Sequence, residues 1–518
     1  MTHDAGTATT RPVVGDLLRA GLDADPDGLA LISADTRWTW QQMDDLSGCL
    51  ARGLLGLGLR PGDRVASLMP NCPALIVHYL ACLKAGLVAT PLNYRYMAPE
   101  IDHALAVSGA RALFSHAERG GDLEASTVAG QLPLGRITYG ASGESGDPAF
   151  EELSEGERAP APLPENPLTA PAMIFFTSGS TGLPKGVTHT HGTLGWMLAT
   201  AAAGLELSSD DLLLPGSSLS HIAAFYVTFA ALGAGAGTIV AGTFDADELL
   251  PLLREDRPTI LSMLPSALFA LTRDHNAAHD DFASLRLCRA AGDCVSAEEE
   301  REFTALSGME IDEAYGLTET GLVTISPPSG RIKVGSVGQA VPGVSLSVRN
   351  EAGEELPTGG EGRLWIKTRA ATVGYWDAPD ATKAVFSNGW LDSGDVMRLD
   401  DEGYYYFCGR KKQIIIHDGS NICPQEVEGA LLEHPSVSSA AVIGIHDLVH
   451  GENVRAYITL TEGAERPSRQ ALIKFARARV GYKAPDEIVV LDEIPRTATG
   501  KLDRTSLKRM AEANLVRG

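Results

Sequence analysis

The sequence predicts an α/β protein with a large N-terminal domain of parallel-type sheets, a β-rich subdomain, and a small C-terminal α+β domain. Residues 63–69, 74–84 and 87–91 are patterned as a strand, a helix and a strand, which is the alternation typical of a parallel sheet. Residues 344–367 change to short strands separated by glycine turns, which indicates the β-rich subdomain. After Arg410 the order becomes strand, loop, helix, two strands, helix and strand, as in a small α+β domain.

Chain length supports a division into two domains. At 518 residues, the chain exceeds the size at which one hydrophobic core keeps growing. We place the boundary near Gly409, where the pattern changes, so that the domains are 1–409 and 410–518. One uncharged stretch, residues 223–242, is as long as a bilayer span. Because glycines and threonines interrupt it, we expect a buried helix, a glycine turn and a strand there instead of a membrane helix.

Charge and cysteine content argue against several kinds of protein. Acidic residues outnumber basic ones, 66 to 43, and the net charge of -23 disfavours binding to nucleic acid or to an anionic membrane surface. The seven cysteines are scattered without a C-x-x-C pair, which disfavours a zinc site or a disulfide framework. Residues 1–14 contain no apolar signal segment. We therefore expect a cytoplasmic protein with reduced thiols.

The sharpest local motif is a glycine-rich loop that follows an apolar strand at residues 173–176. Its residues are Thr177, Ser178, Gly179, Ser180, Thr181, Gly182, Leu183, Pro184, Lys185 and Gly186. Small residues let backbone N–H groups and hydroxyls approach phosphate oxygens, and a lysine adds positive charge. The motif departs from the P-loop of kinases and ATPases, because Pro184 replaces a glycine and Gly186 replaces the Ser or Thr that would hold magnesium. The pattern predicts a phosphate-binding loop of another class, and an ordinary surface turn is the alternative.

Four further motifs follow the loop in order. They lie at residues 315–320 (Tyr-Gly-Leu-Thr-Glu-Thr), 389–395, 403–410 and 495–501. Together with the loop they resemble the motifs of the adenylate-forming superfamily, which includes acyl-CoA synthetases, luciferases and peptide-synthetase adenylation domains. The chain is most similar to a stand-alone acyl-CoA synthetase, and the resemblance covers nearly its whole length. It implies that domain 1–409 binds ATP and an acid and that domain 410–518 is a mobile lid.

The resemblance implies ATP and a carboxylic acid as substrates, Mg²⁺ as a cofactor, and coenzyme A as a co-substrate. It assigns catalysis to Lys501, Thr318, Glu319 and Lys185, with Glu319 also holding Mg²⁺. Besides the loop residues Thr177 and 178–182, it assigns ATP and AMP binding to Asp293, Ala314, Tyr315, Gly316, Asp395 and Arg410. Thr318 would contact the α-phosphate, Tyr315 would stack on adenine, and Asp395 would accept hydrogen bonds from the ribose. Lys501 would stabilise the negative charge that develops as the carboxylate attacks the α-phosphate.

Other positions concern the acyl pocket and the path of the thiol. The resemblance assigns His221, Phe225 and Gly292 to the acyl pocket, and Lys412, Asp418 and Gly419 to the hinge and the thiol tunnel. Two of the assigned positions depart from the pattern of the family. Asp293 stands where a second glycine is common, and Asp418-Gly419 stands where a pair of glycines is usual, so that Asp418 replaces the first of them. These departures leave the shapes of the acyl pocket and the tunnel open.

Several alternatives stay open on the sequence alone. The acceptor of the acyl group is coenzyme A or a separate carrier protein, and a luciferase-like oxygenase is not excluded. A catalytically inactive acyl-binding protein would be expected to have lost Lys501, Glu319 or Asp395, and all three are present. Fatty, aryl, small aliphatic and polycyclic acids are all compatible with the sequence, as are a monomer and a homodimer.

Overall fold

The computed structural model describes residues 11–140, 148–154, 162–177, 184–292, 295, 297–410, 413–417, 420–447, 451–497 and 500–515. The chain divides into two compact units. The first unit comprises residues 1–292, 302–345 and 366–391, and the second comprises residues 293–301, 346–365 and 392–518. The domain boundary near Gly409 stays a prediction.

Strands and helices alternate through most of the described residues. The strands are β1 (Leu29–Ile32), β2 (Arg37–Thr39), β3 (Arg64–Leu68), β4 (Val88–Pro91), β5 (Ala112–His116), β6 (Arg136–Tyr139), β7 (Pro171–Thr177), β8 (Lys185–Thr190), β9 (Leu212–Gly216), β10 (Gly237–Ile239), β11 (Ile260–Met263), β12 (Leu287–Ala291), β13 (Asp312–Leu317), β14 (Gly321–Ile325), β15 (Gln339–Ala340), β16 (Val344–Arg349), β17 (Glu361–Thr368), β18 (Gly374–Tyr375), β19 (Phe386–Ser387), β20 (Trp390–Leu399), β21 (Tyr405–Arg410), β22 (Ile415–His417), β23 (Ser420–Ile422), β24 (Val437–Asp447), β25 (Gly451–Leu460) and β26 (Glu487–Val490). The α-helices are α1 (Arg19–Ala24), α2 (Trp40–Gly56), α3 (Pro73–Ala85), α4 (Ala98–Ser108), α5 (Gly120–Ala125), α6 (Phe150–Ser154), α7 (His191–Gly204), α8 (Ile222–Gly233), α9 (Ala246–Pro251), α10 (Pro265–Arg273), α11 (Ala297–Ser307), α12 (Pro379–Val385), α13 (Pro424–Leu432), α14 (Arg469–Val480) and α15 (Arg504–Leu515).

A nine-stranded sheet in the first unit has the order β15–β14–β13–β12–β11–β9–β10–β1–β2. In this spatial order, every neighbouring pair between β13 and β1 is parallel. The antiparallel pairs lie towards the two edges of the sheet. Ala290 lies opposite Met263, and Ala291 lies opposite Ala314. The carboxyl ends of β11, β12 and β13 therefore meet at one edge of the sheet, which is where open α/β sheets bind ligands.

A seven-stranded sheet in the same unit has the order β18–β8–β7–β4–β3–β5–β6. The predicted strand, helix and strand of residues 63–91 are confirmed as β3, α3 and β4, and β3 and β4 are parallel. Pro73 lies in the first turn of α3, where its missing N–H costs nothing, and Gly86 ends the helix at φ 68°. Nearly every side chain of α3 is buried, so this helix is part of the core of the unit.

The second unit contains most of two smaller sheets. One has the order β16–β17–β20–β19 with β21 paired to β20, and it forms the predicted β-rich region. The other has the order β23–β22–β25–β24 with β26 on β25. Helices α13 and α14 pack on the latter sheet through a buried apolar cluster that includes Val427, Leu431 and Leu472. The prediction of a small α+β fold near the C-terminus is confirmed.

The uncharged stretch at residues 223–242 forms α8, a turn and β10. Gly235 makes the turn at φ 79°, a conformation that glycine adopts without strain. The prediction of a helix, a turn and a strand is confirmed. Within the described ranges, no helix combines the length and the apolar character that crossing a membrane requires.

Candidate active site

The β7–β8 hairpin positions the two ends of the glycine-rich loop. The strand β7 is apolar and largely buried, and its last residue, Thr177, pairs in register with Lys185, the first residue of β8. The backbone carbonyl of Pro184 accepts a hydrogen bond from His103 Nε2 at 2.9 Å. Ser178, Gly179, Ser180, Thr181 and Gly182 lie outside the described residues, and their assignment to ATP stays a prediction.

The turn between β13 and β14 carries the next set of predicted residues. Thr318 and Glu319 form this turn, and the backbone N–H of Thr320 donates to the carbonyl of Leu317 at 3.2 Å. A Cβ at Gly316 would lie 2.4 Å from the carbonyl oxygen of Gly321, so only glycine fits this position. The turn therefore presents Thr318 and Glu319 at the carboxyl edge of the nine-stranded sheet.

Two residues from outside the nine-stranded sheet hold the backbone of this turn. His189, fully buried on β8, lies with its Nε2 2.8 Å from the carbonyl oxygen of Thr318, and the backbone N–H of Thr372 donates to the carbonyl of Glu319 at 2.7 Å. Because a carbonyl oxygen can only accept, His189 carries its proton on Nε2. Burial lowers the pKa of His189 to about 4, so the ring is neutral at pH 7.

Glu319, Tyr375 and Lys185 come together in front of this turn. The hydroxyl of Tyr375 donates to Glu319 Oε1 at 2.8 Å, and Lys185 Nζ lies 5.3 Å from the centroid of the Tyr375 ring. Burial, and then the charge of Glu319, raise the pKa of Tyr375 well above its usual value, so the phenol remains a donor. Tyr375 thus links the predicted metal ligand to the predicted phosphate-binding lysine.

Tyr375, Thr372 and His189 were not identified from the sequence. Tyr375 belongs to β18, which pairs with β8 so that Tyr375 lies opposite Val187. The backbone N–H of Trp376 extends this pairing by donating to the carbonyl of Gly186 at 2.7 Å. The glycine-aromatic run at residues 374–376 was the only signal for these contacts, and nothing in it indicates Glu319 as the partner.

The donor set at Glu319 fits a magnesium ion that is bound mainly by substrate. Glu319 is half-buried, and its carboxylate accepts one hydrogen bond at Oε1, which leaves further lone pairs for a hard cation. Within the described ranges, no cluster of three or more His, Cys, Asp or Glu side chains has the arrangement of a metal site. A single carboxylate suits Mg²⁺, which in nucleotide sites keeps water and phosphate oxygens as its other ligands.

Predicted acyl-pocket residues occupy different environments. Gly292 is exposed at φ 97° directly after β12, next to the strand that carries Ala314. His221 precedes α8, is half-buried, and lies with its Nε2 3.4 Å from Nδ2 of Asn93. Phe225 is fully buried and stacks on Phe229 with ring centroids 4.3 Å apart. Asp293 lies outside the described residues.

Asp395 and Arg410 lie opposite each other on β20 and β21 in the second unit. The Asp395 side chain is 1 % exposed, and its Oδ1 is 3.0 Å from Nε of Arg410, whose side chain is about half-exposed. The backbone N–H of Asp395 donates to Ser393 Oγ at 3.1 Å. The sheet pairing therefore brings together the two residues that the resemblance assigns to the ribose.

Lys501 is exposed in a tight turn of the second unit. The backbone N–H of Thr497 donates to the carbonyl of Lys501 at 2.7 Å, and that of Gly500 donates to the carbonyl of Thr497 at 2.9 Å. Gly500 adopts φ 83°. Lys412, Asp418 and Gly419 lie outside the described residues, so their assignment to the hinge and tunnel stays a prediction.

Comparison with known proteins identifies the family. The family model for AMP-binding enzymes matches residues 18–376, and the model for the C-terminal domain of AMP-binding enzymes matches residues 426–501. A feruloyl-CoA synthase of Amycolatopsis sp is 34% identical over 490 residues, which cover 93% of this chain and 96% of that protein. A fatty acid–[acyl-carrier-protein] ligase, ScoC, of Streptomyces coeruleorubidus is 32% identical over 494 residues, 93% of each chain.

Solved structures agree with this result. The anthranilate CoA ligase AuaEII in complex with anthranoyl-AMP is similar with a TM-score of 0.90 and 25% identity, over 99% of this chain and 100% of that one. The resemblance and the fold class predicted from the sequence are thereby confirmed. With two matching models and relatives that align along almost the whole chain, this protein belongs to the family of AMP-binding enzymes.

Proposed function

We propose that this protein is an AMP-forming acid–thiol ligase. It joins a carboxylic acid to AMP with release of pyrophosphate from ATP, and it then transfers the acyl group to the thiol of coenzyme A. The observation that carries this proposal is the cluster of Lys185, Tyr375 and Glu319, which places a cation and a carboxylate beside the end of a glycine-rich loop. This is the chemistry required to bind a polyphosphate together with a divalent cation.

The first half-reaction activates the acid. A carboxylate is a poor electrophile, and its attack on the α-phosphorus of ATP, with pyrophosphate leaving, gives an acyl-adenylate with a good leaving group. Lys185 and the loop bind the phosphates, Thr318 contacts the α-phosphate, and Tyr315 lies against adenine. Because two neighbouring carbonyls of the Thr318–Glu319 turn accept hydrogen bonds from His189 and Thr372, the turn is held before substrate binds.

Glu319 would hold a magnesium ion in this complex. When bound, Mg²⁺ neutralises charge on the phosphate oxygens and favours departure of pyrophosphate. The hydrogen bond from Tyr375 fixes one carboxylate oxygen of Glu319 and so orients the other. Tyr375 is therefore a positioning residue in this proposal.

The residues proposed to bind the ribose and the lysine proposed for the first step are all part of the second unit. Asp395 accepts hydrogen bonds from the ribose hydroxyls, and Arg410, whose Nε lies 3.0 Å from Oδ1, orients its carboxylate. Lys501 delivers a positive charge to the carboxylate and the α-phosphate as negative charge develops between them. Its exposed position on a turn suits a residue that must reach a bound substrate.

In the second half-reaction a thiolate attacks the acyl carbonyl and AMP leaves. Coenzyme A is the proposed acceptor, as the name of the feruloyl-CoA synthase relative suggests. A carrier protein is the second candidate, favoured by the similarity to ScoC. A cytoplasmic location, where ATP and coenzyme A are available, completes the proposal.

Three assays on the purified protein test these steps. With a panel of acids, ATP and Mg²⁺, we expect acid-dependent exchange of labelled pyrophosphate into ATP, and formation of hydroxamate when hydroxylamine traps the adenylate. Addition of coenzyme A should then give the acyl thioester, whereas a carrier-protein ligase would acylate only a phosphopantetheine-bearing carrier. Release of ADP without pyrophosphate exchange would contradict adenylation.

A further inference from the structure

Two asparagines from the turns after β3 and β4 reach the loop that leads into α8. Asn71 follows β3 and Asn93 follows β4, and each residue is only 8 % exposed. Asn71 Nδ2 donates to the carbonyl of Ser217 at 2.9 Å, and its Oδ1 accepts from the backbone N–H of Leu219 at 2.8 Å. Asn71 therefore fixes the main chain of the loop, which ends at His221.

The side chain of Asn93 contacts the ring of His221. Its Oδ1 accepts from the backbone N–H of Arg95 at 2.9 Å, and its Nδ2 lies 3.4 Å from Nε2 of His221, within hydrogen-bonding distance. The backbone contact decides the orientation of the amide, because the N–H of Arg95 can only donate and so requires the amide oxygen on its side. The atom of Asn93 that faces the ring is consequently its nitrogen.

This orientation assigns the proton on His221. An amide NH₂ group can only donate, so Nε2 of the ring presents its lone pair to Asn93. The ring then carries a single proton, on Nδ1, and is neutral, since an imidazolium has a proton on both nitrogens. His189 shows the opposite arrangement, because its Nε2 donates to the carbonyl oxygen of Thr318. The partner of each ring thus selects its tautomer.

The position of His221 at the start of α8 also disfavours a charged ring. His221 is the N-cap of this helix of 12 residues, and the partial positive charge at a helix N-terminus opposes an imidazolium. Residues 217–220 and α8 contain no Asp, Glu, Lys or Arg, and their one titratable group is Tyr226. On the other side, exposed Arg95 follows Asn93 and adds positive charge. These segments therefore offer no carboxylate that would stabilise a cation.

We propose that Asn93 is a positioning residue that holds His221 as the neutral Nδ1–H tautomer, so that His221 acts on the bound acyl group as a hydrogen-bond donor and not as a base. With Nε2 engaged by Asn93 and Nδ1 protonated, neither ring nitrogen is placed to take a proton from the attacking thiol. The resemblance assigns His221 to the acyl pocket. This inference rests on the proposed function and deepens it by naming a role for Asn93.

The tautomer can be measured without any activity. Wild-type enzyme with isotope-labelled histidine rings is studied by NMR near neutral pH, where the ring shifts differ between the two neutral tautomers and the imidazolium. The spectrum of His221→Asn identifies the signal of His221 among the 13 histidines. We expect the Nδ1–H form in the wild type. Asn93→Asp keeps the acceptor for the N–H of Arg95 but turns a carboxylate oxygen towards the ring, so it should place a proton on Nε2.

Kinetics then separate a donor from a base. His221→Asn places an amide N–H near the position of Nδ1, so thioester formation from synthetic acyl-adenylate and coenzyme A should fall by no more than about tenfold. Loss of a general base would instead cost on the order of 100- to 10,000-fold. Asn93→Asp should lower kcat/KM for adenylation by about tenfold. In the His221→Asn background it should add nothing, because the shorter side chain makes no contact with position 93.

Asn166→Asp is the matched control. Asn166 is half-buried, and its Nδ2 donates to the carbonyl of Leu83 at 2.9 Å, near the amino-terminal edge of the seven-stranded sheet. The same exchange of amide for carboxylate at this distant place should leave the tautomer of His221 and the rate of adenylation unchanged.

Three outcomes would overturn the inference while leaving the proposed function intact. One is an Nε2–H or doubly protonated His221 ring in the wild type, a result that does not depend on whether any variant folds. Another is a loss of the thiol step in His221→Asn on the scale of a missing base. The third is an undiminished effect of Asn93→Asp in the His221→Asn background, which would mark Asn93 as structural. Absence of pyrophosphate exchange with every acid would instead contradict the proposed function itself.

Discussion

The Glu319 turn and the Lys501 turn carry two predicted catalytic residues, but they hold them in different ways. Around Glu319, the backbone carbonyl accepts from Thr372 and the carboxylate accepts from Tyr375, at 2.7 and 2.8 Å. Lys501 instead extends from an exposed turn closed by backbone hydrogen bonds. Residues proposed to bind phosphate and cation are thus held by side chains and backbone from distant parts of the chain, whereas the lysine proposed to act on the transition state lies on an exposed turn. Variants at both turns should consequently slow adenylation, but only variants at the Glu319 turn should also raise the Mg²⁺ requirement.

Lys501→Ala should have the largest effect. If Lys501 stabilises charge only during attack on the α-phosphate, its loss should slow adenylation by about 100- to 1,000-fold. Folding should change little, because an exposed side chain in a turn supports almost no packing. Rapid-quench measurement of adenylate formation gives the rate of the first step.

The second half-reaction provides the control for Lys501. Synthetic acyl-adenylate and coenzyme A are supplied to the variant, and thioester formation is followed. We expect a rate close to that of the wild type, since the leaving group is already in place. A variant that adenylates normally, or one that loses both steps equally, would contradict the role proposed for Lys501.

Glu319→Gln should have the next largest effect. The amide keeps the size of the side chain and an acceptor oxygen for Tyr375, but it removes the charge that a hard cation requires. We expect adenylation to fall by about 100-fold and the Mg²⁺ concentration for half-maximal rate to rise. A titration with Mg²⁺ at saturating ATP separates this from a simple loss of activity. An unchanged Mg²⁺ dependence would remove Glu319 from the metal site.

The difference between the two turns also shows what the sequence could predict. The glycine-rich loop after β7, the order of β3, α3 and β4, and the late α+β fold follow from local patterns. Contacts between distant residues do not. Tyr375 and Glu319 are 56 residues apart, and His189 and Thr318 are 129 apart, each pair joined across two different sheets. No local periodicity encodes how two sheets meet, so these partners became evident only in the structure.

Arg289 illustrates a second limit of the sequence. The strand Leu-Cys-Arg-Ala-Ala contains one charged residue among apolar ones. A charged residue in such a strand usually occupies an exposed position. The structure shows that every residue of β12 is buried, because the strand lies within the parallel part of the nine-stranded sheet. Burial on both faces thus encloses an arginine that the sequence pattern alone would place at the surface.

Tyr375→Phe tests whether the hydrogen bond from Tyr375 positions Glu319. Without the hydroxyl, Glu319 loses its fixed hydrogen bond but keeps its charge and its backbone contacts. We expect about a tenfold loss in adenylation, together with a rise in the Mg²⁺ requirement, as for partners that orient a metal ligand. Tyr406→Phe is the matched control, since Tyr406 donates to Asp400 at 3.1 Å in a different sheet. Equal effects of the two variants would argue against positioning by Tyr375.

His189→Gln should have the smallest effect on activity and a distinct effect on pH-dependent stability. The glutamine amide can still donate to Thr318, so we expect a loss of only a few-fold in rate.

Burial lowers the pKa of His189 from 6.5 to about 4, and the unfolded chain therefore binds a proton more readily than the folded one in this interval. The contribution of His189 to the free energy of unfolding should accordingly fall by about 3 kcal/mol as the pH drops from about 6.5 to about 4. Glutamine does not titrate, and the other buried histidines and the carboxylates are common to both proteins. The difference between the unfolding free energies of the wild type and the variant, measured by urea denaturation at each pH, should thus be constant above pH 6.5. Below pH 6.5 the wild type should lose stability relative to the variant. A difference that stays flat down to pH 4 would show that His189 is not held neutral behind the Thr318 turn.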